Sequence, residues 1–204
     1  MKRLFLASSF ADVAKLFPAF AQEECAGKKV TFIPTASLVE KVNFYIGSAQ
    51  KAFAKLGIIT DVLDISQASK EEIASKLSNN DYIYISGGNT FYVLQELKRT
   101  GADTIIIDQI NQGKIYIGES AGSIIMSPDI EYAAMLDDRT KAETLKDFSS
   151  LGVVAFYPVP HHTNFPFKKA VEKILAEYNS KLDLRPFTNK QVITVRGDSF
   201  ELIG

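Results

Sequence analysis

The chain has 204 residues, of which 46 % are hydrophobic and 23 % charged, and its net charge is −1. That length and composition suit one globular domain over residues 1–204 with a core of its own. The balanced charge gives no reason to expect nucleic acid or an anionic membrane surface as a partner. A single cysteine, Cys25, excludes an internal disulfide framework and argues against a zinc site built on cysteines, and two histidines argue against a histidine-rich metal site.

The amino-terminal stretch imitates a signal peptide, with Lys2-Arg3 ahead of an apolar run and Ala19-Phe20-Ala21 as an A-x-A site. Asp12 and Lys15 interrupt the apolar segment too early for export. The run is read instead as a first strand, Arg3 to Ala7, closed by Ser8-Ser9, and a cytoplasmic location is expected. No uncharged run reaches the roughly 18 residues of a membrane span.

Further along, Phe10 to Glu24 carries Val13, Leu16, Phe17 and Phe20 at helical spacing. Lys29 to Pro34 reads as a second strand. Leu38 to Leu56 reads as a long amphipathic helix stopped by Gly57. Ile58 to Ile65 follows as a third strand, and Ser66 to Leu77 as a helix with a capping box at Ser69 to Glu72. Tyr82 to Ile85 is a fourth strand, Ser86 to Thr90 its turn, and Phe91 to Thr100 and Ala102 to Gln112 are helices. After the segment 127–150, a long polar connection, come a strand at 153–157, a helix at 165–178 and a terminal hairpin of 191–195 with 200–203. Strands alternating with helices predict an α/β fold with a doubly wound, mostly parallel sheet.

The stretch with most chemical content is Lys114 to Met126. Ile115-Tyr116-Ile117 reads as a buried strand, Gly118-Glu119-Ser120-Ala121-Gly122 fits G-x-S-x-G, and Ile124 to Met126 can continue as a helix. In a nucleophile elbow the chain turns sharply between strand and helix and exposes the serine hydroxyl at the strand's end. In a doubly wound sheet the working residues gather at the carboxyl ends of the strands. Three stretches fall there: Ser86 to Thr90, the elbow, and Pro158 to Asn164 with both histidines, His161 and His162. A serine needs a base to take its proton, and imidazole is the usual one. Gly87-Gly88 is either a plain tight turn or the source of a backbone N–H that, with the Ala121 N–H, forms an oxyanion hole.

Together, Gly87-Gly88-Asn89-Thr90-Phe91 after a strand, Gly118-Glu119-Ser120-Ala121-Gly122, and Pro160-His161 followed by Asn164 resemble peptidase family S51. That family includes the aspartyl dipeptidases (dipeptidase E) and, more distantly, the cyanophycinases. The resemblance implies a fold related to class I glutamine amidotransferases (flavodoxin-like), with serine in place of cysteine. It implies Ser120 as nucleophile, His161 as base because it follows Pro160, and Gly88 and Ala121 as oxyanion donors. Asn89, Glu119 and His162 are candidates for the substrate pocket.

Two features depart from the family pattern. The position expected to hold an acid that orients the histidine is Asn189, and Asp129, Glu131, Asp137 or Asp138 in the long connection could supply that acid instead. Glu119 would repel an acidic substrate if it faced the pocket. The expected activity is hydrolysis of short peptides, dipeptides with an amino-terminal aspartate among them, by a monomer or homodimer without metal or organic cofactor. An acyl hydrolase acting on other substrates, or a family member that binds a peptide or metabolite without turnover, are the alternatives.

Overall fold

The computed structural model describes all 204 residues. Seven strands form one sheet in the order β3-β2-β4-β5-β1-β8-β9. These are β1 (Arg3–Ala7), β2 (Lys29–Ile33), β3 (Ile59–Val62), β4 (Tyr82–Ile85), β5 (Ile115–Glu119), β8 (Val192–Arg196) and β9 (Ser199–Ile203). The first five run parallel. β8 pairs antiparallel with β1, and β9 closes the terminal hairpin against β8. A separate parallel pair is made by β6 (Tyr157–Val159) and β7 (Leu184–Pro186).

The central strands are covered on both faces, which is why they read as unbroken apolar runs. Leu4 and Leu6, Ile83 and Ile85, and Tyr116 point into one core. Phe5 and Ala7, Tyr82 and Tyr84, and Ile115 and Ile117 point into the other. The first core is closed by α4 (Lys70–Asn79), α5 (Thr90–Thr100), α6 (Ala102–Asn111), α7 (Ala121–Ile124) and α8 (Lys168–Tyr178). The second is closed by α1 (Phe10–Val13), α2 (Phe17–Ala21) and α3 (Phe44–Lys55). It is aromatic: Phe10 stacks on Phe53 at 4.3 Å and Phe32 on Tyr84 at 4.6 Å, with Phe5 edge-on to Phe17 at 5.4 Å. Such pairs add about 0.5–1.5 kcal/mol each beyond their burial.

Local signals set several boundaries. Ser69 Oγ accepts the Glu72 N–H at 3.2 Å and starts α4. Gly57, at φ 72°, ends α3 in a Schellman arrangement: its own N–H donates to Ala54 O, and the Ile58 N–H donates to Phe53 O.

Four elements differ from the sequence reading. The helix expected over 10–24 breaks into α1, a 3₁₀ turn at Ala14–Leu16, and α2. Pro18 has no N–H for the preceding turn, so the helix restarts there. The helix expected from Leu38 begins only at Phe44. Before it, Thr35–Ser37 form a 3₁₀ turn held by Ser37 Oγ on Pro34 O at 2.7 Å, and Leu38, Val42 and Phe44 stay exposed. The strand expected at 153–157 lies at 157–159. Val154 spends its N–H on Met126 O, Leu151 on Ile125 O, and the apolar run is core without being sheet. β7, three residues ending in a proline, escaped notice.

Small residues let the elements around β5 close up. A Cβ at Gly122 would sit 2.2 Å from Ile85 O, and one at Gly118 would sit 2.6 Å from Gly122 O. We therefore expect Gly122→Ala to destabilise the fold by at least about 2 kcal/mol in urea unfolding, because the clash is with backbone that cannot yield. An unchanged midpoint would show that α7 and β4 are not in this contact.

Candidate active site

Ser120 links β5 to α7 at φ 50° and ψ −106°, a conformation L-residues rarely adopt. Its N–H donates to Ala7 O at 2.9 Å, so β1 fixes the bend from the side. Ser123 Oγ donates to the same carbonyl at 2.9 Å, and Tyr116 Oη to Gly122 O at 2.6 Å. The helix after the bend is a single turn, shorter than the apolar run to Met126 suggested.

His161 arrives from the loop after β6, itself at φ 63°. Ser120 Oγ lies 2.8 Å from His161 Nε2, and His161 Nδ1 lies 2.8 Å from Asn189 Oδ1. Because the amide oxygen can only accept, Nδ1 carries the proton and Nε2 turns its lone pair to the serine. The ring stacks on Phe167 at 4.5 Å. Burial lowers the imidazole's pKa from its ordinary 6.5, partly opposed by the Asn189 bond, so the ring is neutral at pH 7.

The loop is tied down from several directions. Ser8 Oγ accepts the His161 N–H at 3.1 Å and donates to Phe187 O at 3.2 Å. The His162 N–H donates to Phe187 O, and Asn164 Oδ1 accepts the Asn189 N–H at 2.9 Å. Ser8 and Phe167 were not foreseen as site residues. Ser8 was read as a turn or cap, and nothing in the pattern around Phe167 distinguishes it from a core aromatic.

Gly87 and Gly88 pass beside the serine: a Cβ on Gly87 would lie 3.4 Å from Ser120 Cβ. Gly88 has φ 131°, a Cβ there would meet Ala36 O at 2.2 Å, and its N–H finds no protein acceptor. The Ala121 N–H opens α7 directly after the serine.

The acids proposed as orienters stand elsewhere. Asp129 Oδ1 accepts the Glu131 N–H and Asp138 Oδ1 accepts the Thr140 N–H. The exposed Glu131 has no bond to the ring. Asp137 accepts the N–H and hydroxyl of Thr90, and burial pushes its carboxyl up to about 6 against those bonds. Of the candidate orienters, Asn189 alone bonds the ring.

Two of the three pocket candidates need correction. Asn89 is buried, caps α5 through the Tyr92 N–H at 3.0 Å, and donates to Asp138 O at 3.0 Å; its polar atoms are spent on structure. Glu119 points to the opposite face of the sheet, as the alternation of β5 with Ile115 and Ile117 requires. There it is 3 % exposed, and the Tyr84 hydroxyl donates to it. His162 is half-buried on the rim beside His161. No group of three or more His, Cys, Asp or Glu side chains is arranged to hold a metal ion, and no helix is long and apolar enough to cross a membrane.

A strained serine bonded to a neutral imidazole on the rim of a parallel sheet is the arrangement the family resemblance implied. The peptidase family S51 model matches residues 4–203. The chain belongs to peptidase family S51. It is thus a serine-type peptidase, a hydrolase of peptide bonds. An uncharacterised peptidase of Listeria innocua is 50 % identical over 97 % of this chain and 94 % of its own. One of Pasteurella multocida is 51 % identical over 98 % and 96 %. Peptidase E of a Nostoc species is 30 % identical over 80 % of this S51 chain and 66 % of its own. A 1.5 Å crystal structure of a Peptidase E candidate from Listeria monocytogenes superposes with a TM-score of 0.95 at 47 % identity, covering 100 % of this chain and 98 % of that one.

Burial pushes the Glu119 carboxyl up to about 7, opposed by the Tyr84 hydroxyl and the Phe10 N–H and reinforced by Asp12. A carboxyl whose pKa is raised on folding holds its proton better in the native state, so stability falls as pH rises from 4.5 through 7. We expect Glu119→Gln to be more stable than the native S51 chain at pH 8, by up to roughly 3 kcal/mol, and to lose that advantage below pH 4.5. Urea unfolding at the two pH values checks this; the same difference at both would contradict the buried, ionisable state.

Proposed function

We propose that this S51 peptidase hydrolyses short peptides through an acyl-enzyme, with Ser120 as nucleophile and His161 as its base. The observation that carries the reading is the 2.8 Å approach of Ser120 Oγ to His161 Nε2. The neutral ring takes the serine proton as Oγ attacks the scissile carbonyl, then delivers that proton to the leaving amine. The Gly88 and Ala121 N–H groups flank the serine where the oxyanion would form, and two such donors supply several kcal/mol of transition-state stabilisation. Water, deprotonated in turn by His161, hydrolyses the ester. Asn189 holds the ring by Nδ1 in the tautomer this requires, as in Cys-His-Asn sites, but adds no negative charge to support the imidazolium.

Dipeptides and other short peptides with a free amino terminus are the substrates we expect. The Glu40 carboxylate meets the Asn89 amide at the Gly87-Gly88 turn, at 3.4 Å, with the Asp137 carboxylate on the neighbouring Thr90. Carboxylates there favour a cationic peptide amino group over an acidic side chain, so an amino-terminal aspartate should have no advantage over neutral residues. The lone cysteine, Cys25, is buried and free, which suits a cytoplasmic setting.

Ser120→Ala is expected to abolish fluorophosphonate labelling and to lower kcat/KM on aminoacyl peptides by at least about 10³-fold. Retained turnover would reject the nucleophile, and failure of the folded native chain to label would favour a binding protein. Asn189→Ala should lower kcat/KM by about tenfold or more. Asn189→Asp should keep or raise it and, by stabilising the imidazolium, move the acid limb of the pH profile to higher pH. An unchanged rate in Asn189→Ala would remove Asn189 from the mechanism.

A further inference from the structure

Glu119 is covalently next to the proposed nucleophile, and the mechanism leaves it unused. It closes β5 on the aromatic face, 3 % exposed. The groups around it come from three elements. Tyr84 on β4 donates its hydroxyl, the Phe10 N–H at the start of α1 favours the charged form, and Asp12 on α1 opposes it. From α3 comes Tyr45, whose buried hydroxyl has no hydrogen-bond partner and feels the Glu119 charge. The same Tyr45 ring lies against Gly87: a Cβ there would be 3.6 Å from Tyr45 Cε2, 3.4 Å from Ser120 Cβ and 3.8 Å from Glu119 O. Gly87 therefore packs against Tyr45, Ser120 and the Glu119 main chain at the bend.

Ser120 occupies a conformation that costs energy, and such strain persists only where the surroundings enforce it. Tyr84 and Phe10 both offer donors to Glu119. A carboxylate accepts both, in charge-assisted bonds about twice as strong as neutral ones. A protonated carboxyl adds a third donor to the same pocket. We propose that Glu119 is a positioning residue: as a carboxylate bound to Tyr84 and the start of α1, it fixes the end of β5 and holds Ser120 Oγ on His161, and in its neutral form it holds the serine less firmly. This inference rests on Ser120 being the nucleophile.

The test is the pH dependence of kcat, kcat/KM and the rate of Ser120 fluorophosphonate labelling, from pH 5.5 to 9, for the native chain, Glu119→Gln and Tyr84→Phe. The native acid limb should contain two ionisations, one from His161 below 6.5 and one from Glu119 near neutrality. Glu119→Gln should keep only the lower, with kcat at pH 8 reduced about tenfold and KM within about twofold, since the residue faces away from substrate. Tyr84→Phe removes a donor that favours the carboxylate and should move the neutral inflection to higher pH. A purely structural part for Glu119 would lower kcat equally at every pH. Native rates and profile in Glu119→Gln, or an unmoved inflection in Tyr84→Phe, would overturn the proposal, and Tyr84→Phe alone decides if the glutamine variant fails to fold. A native chain that labels at Ser120 while the profiles stay put sinks this inference only; a native chain that never labels sinks the nucleophile assignment.

Discussion

The arrangement of the rim depends on one peptide reversal, the turn of the main chain at Ser120. A residue held at φ 50° and ψ −106° costs on the order of 1–3 kcal/mol. The neighbours that enforce it are themselves consequences of side-chain size and reach. Gly118 and Gly122 lack the Cβ atoms that would push α7 from β5 and β4. Ala7 O accepts from both Ser120 and Ser123, so β1 clasps the bend at two points. Tyr116 Oη reaches round to Gly122 O from within the strand that feeds the turn.

The histidine loop repeats this logic with polar atoms in place of glycines. His161 also sits at positive φ, and besides the local Asn164 N–H on its carbonyl the loop is held from elsewhere in the chain: by Ser8 just after β1, and by Phe187 and Asn189 from the stretch between β7 and β8. Enclosure of the ring lowers its pKa, and the bond to the neutral Asn189 opposes this only in part. A carboxylate at that position would make a stronger base but a more readily protonated one. The asparagine exchanges basicity for a neutral ring across a wider pH range.

Much of this was legible in the residues. The strand ahead of Ser120, the glycine spacing around it and the turn at Gly87-Gly88 are local patterns with local causes, and they located the rim correctly. Gly87 to Phe91, Gly118 to Gly122 and Pro160-His161 with Asn164 carried the family resemblance, whereas Asn189 departed from it. What could not be read was set by distant partners. Glu119 looked like a rim residue because only the pleat of β5 decides which face it takes. Asn89 looked free because its acceptor, the carbonyl of Asp138, lies in a segment without periodicity. The run at 153–156 has the composition of a strand, but its hydrogen bonds go to the turn after α7. The exposed Leu38, Val42 and Phe44 imitated a helix face, while the Pro34 to Glu40 turns were already taking the backbone bonds that helix needed.

β1 has a wider consequence through its place in the sheet. The first strand in sequence lies inside the sheet, pairing on one side with β5 and on the other with β8. Both partners are remote along the chain, so closing those pairings carries a large loop entropy and comes late in folding. Ala7 at the end of this strand and Ser8 just after it brace the serine and the histidine, and Asn189 lies three residues before β8. Ser120, His161 and Asn189 consequently come together only once the β8-β9 hairpin has docked on β1.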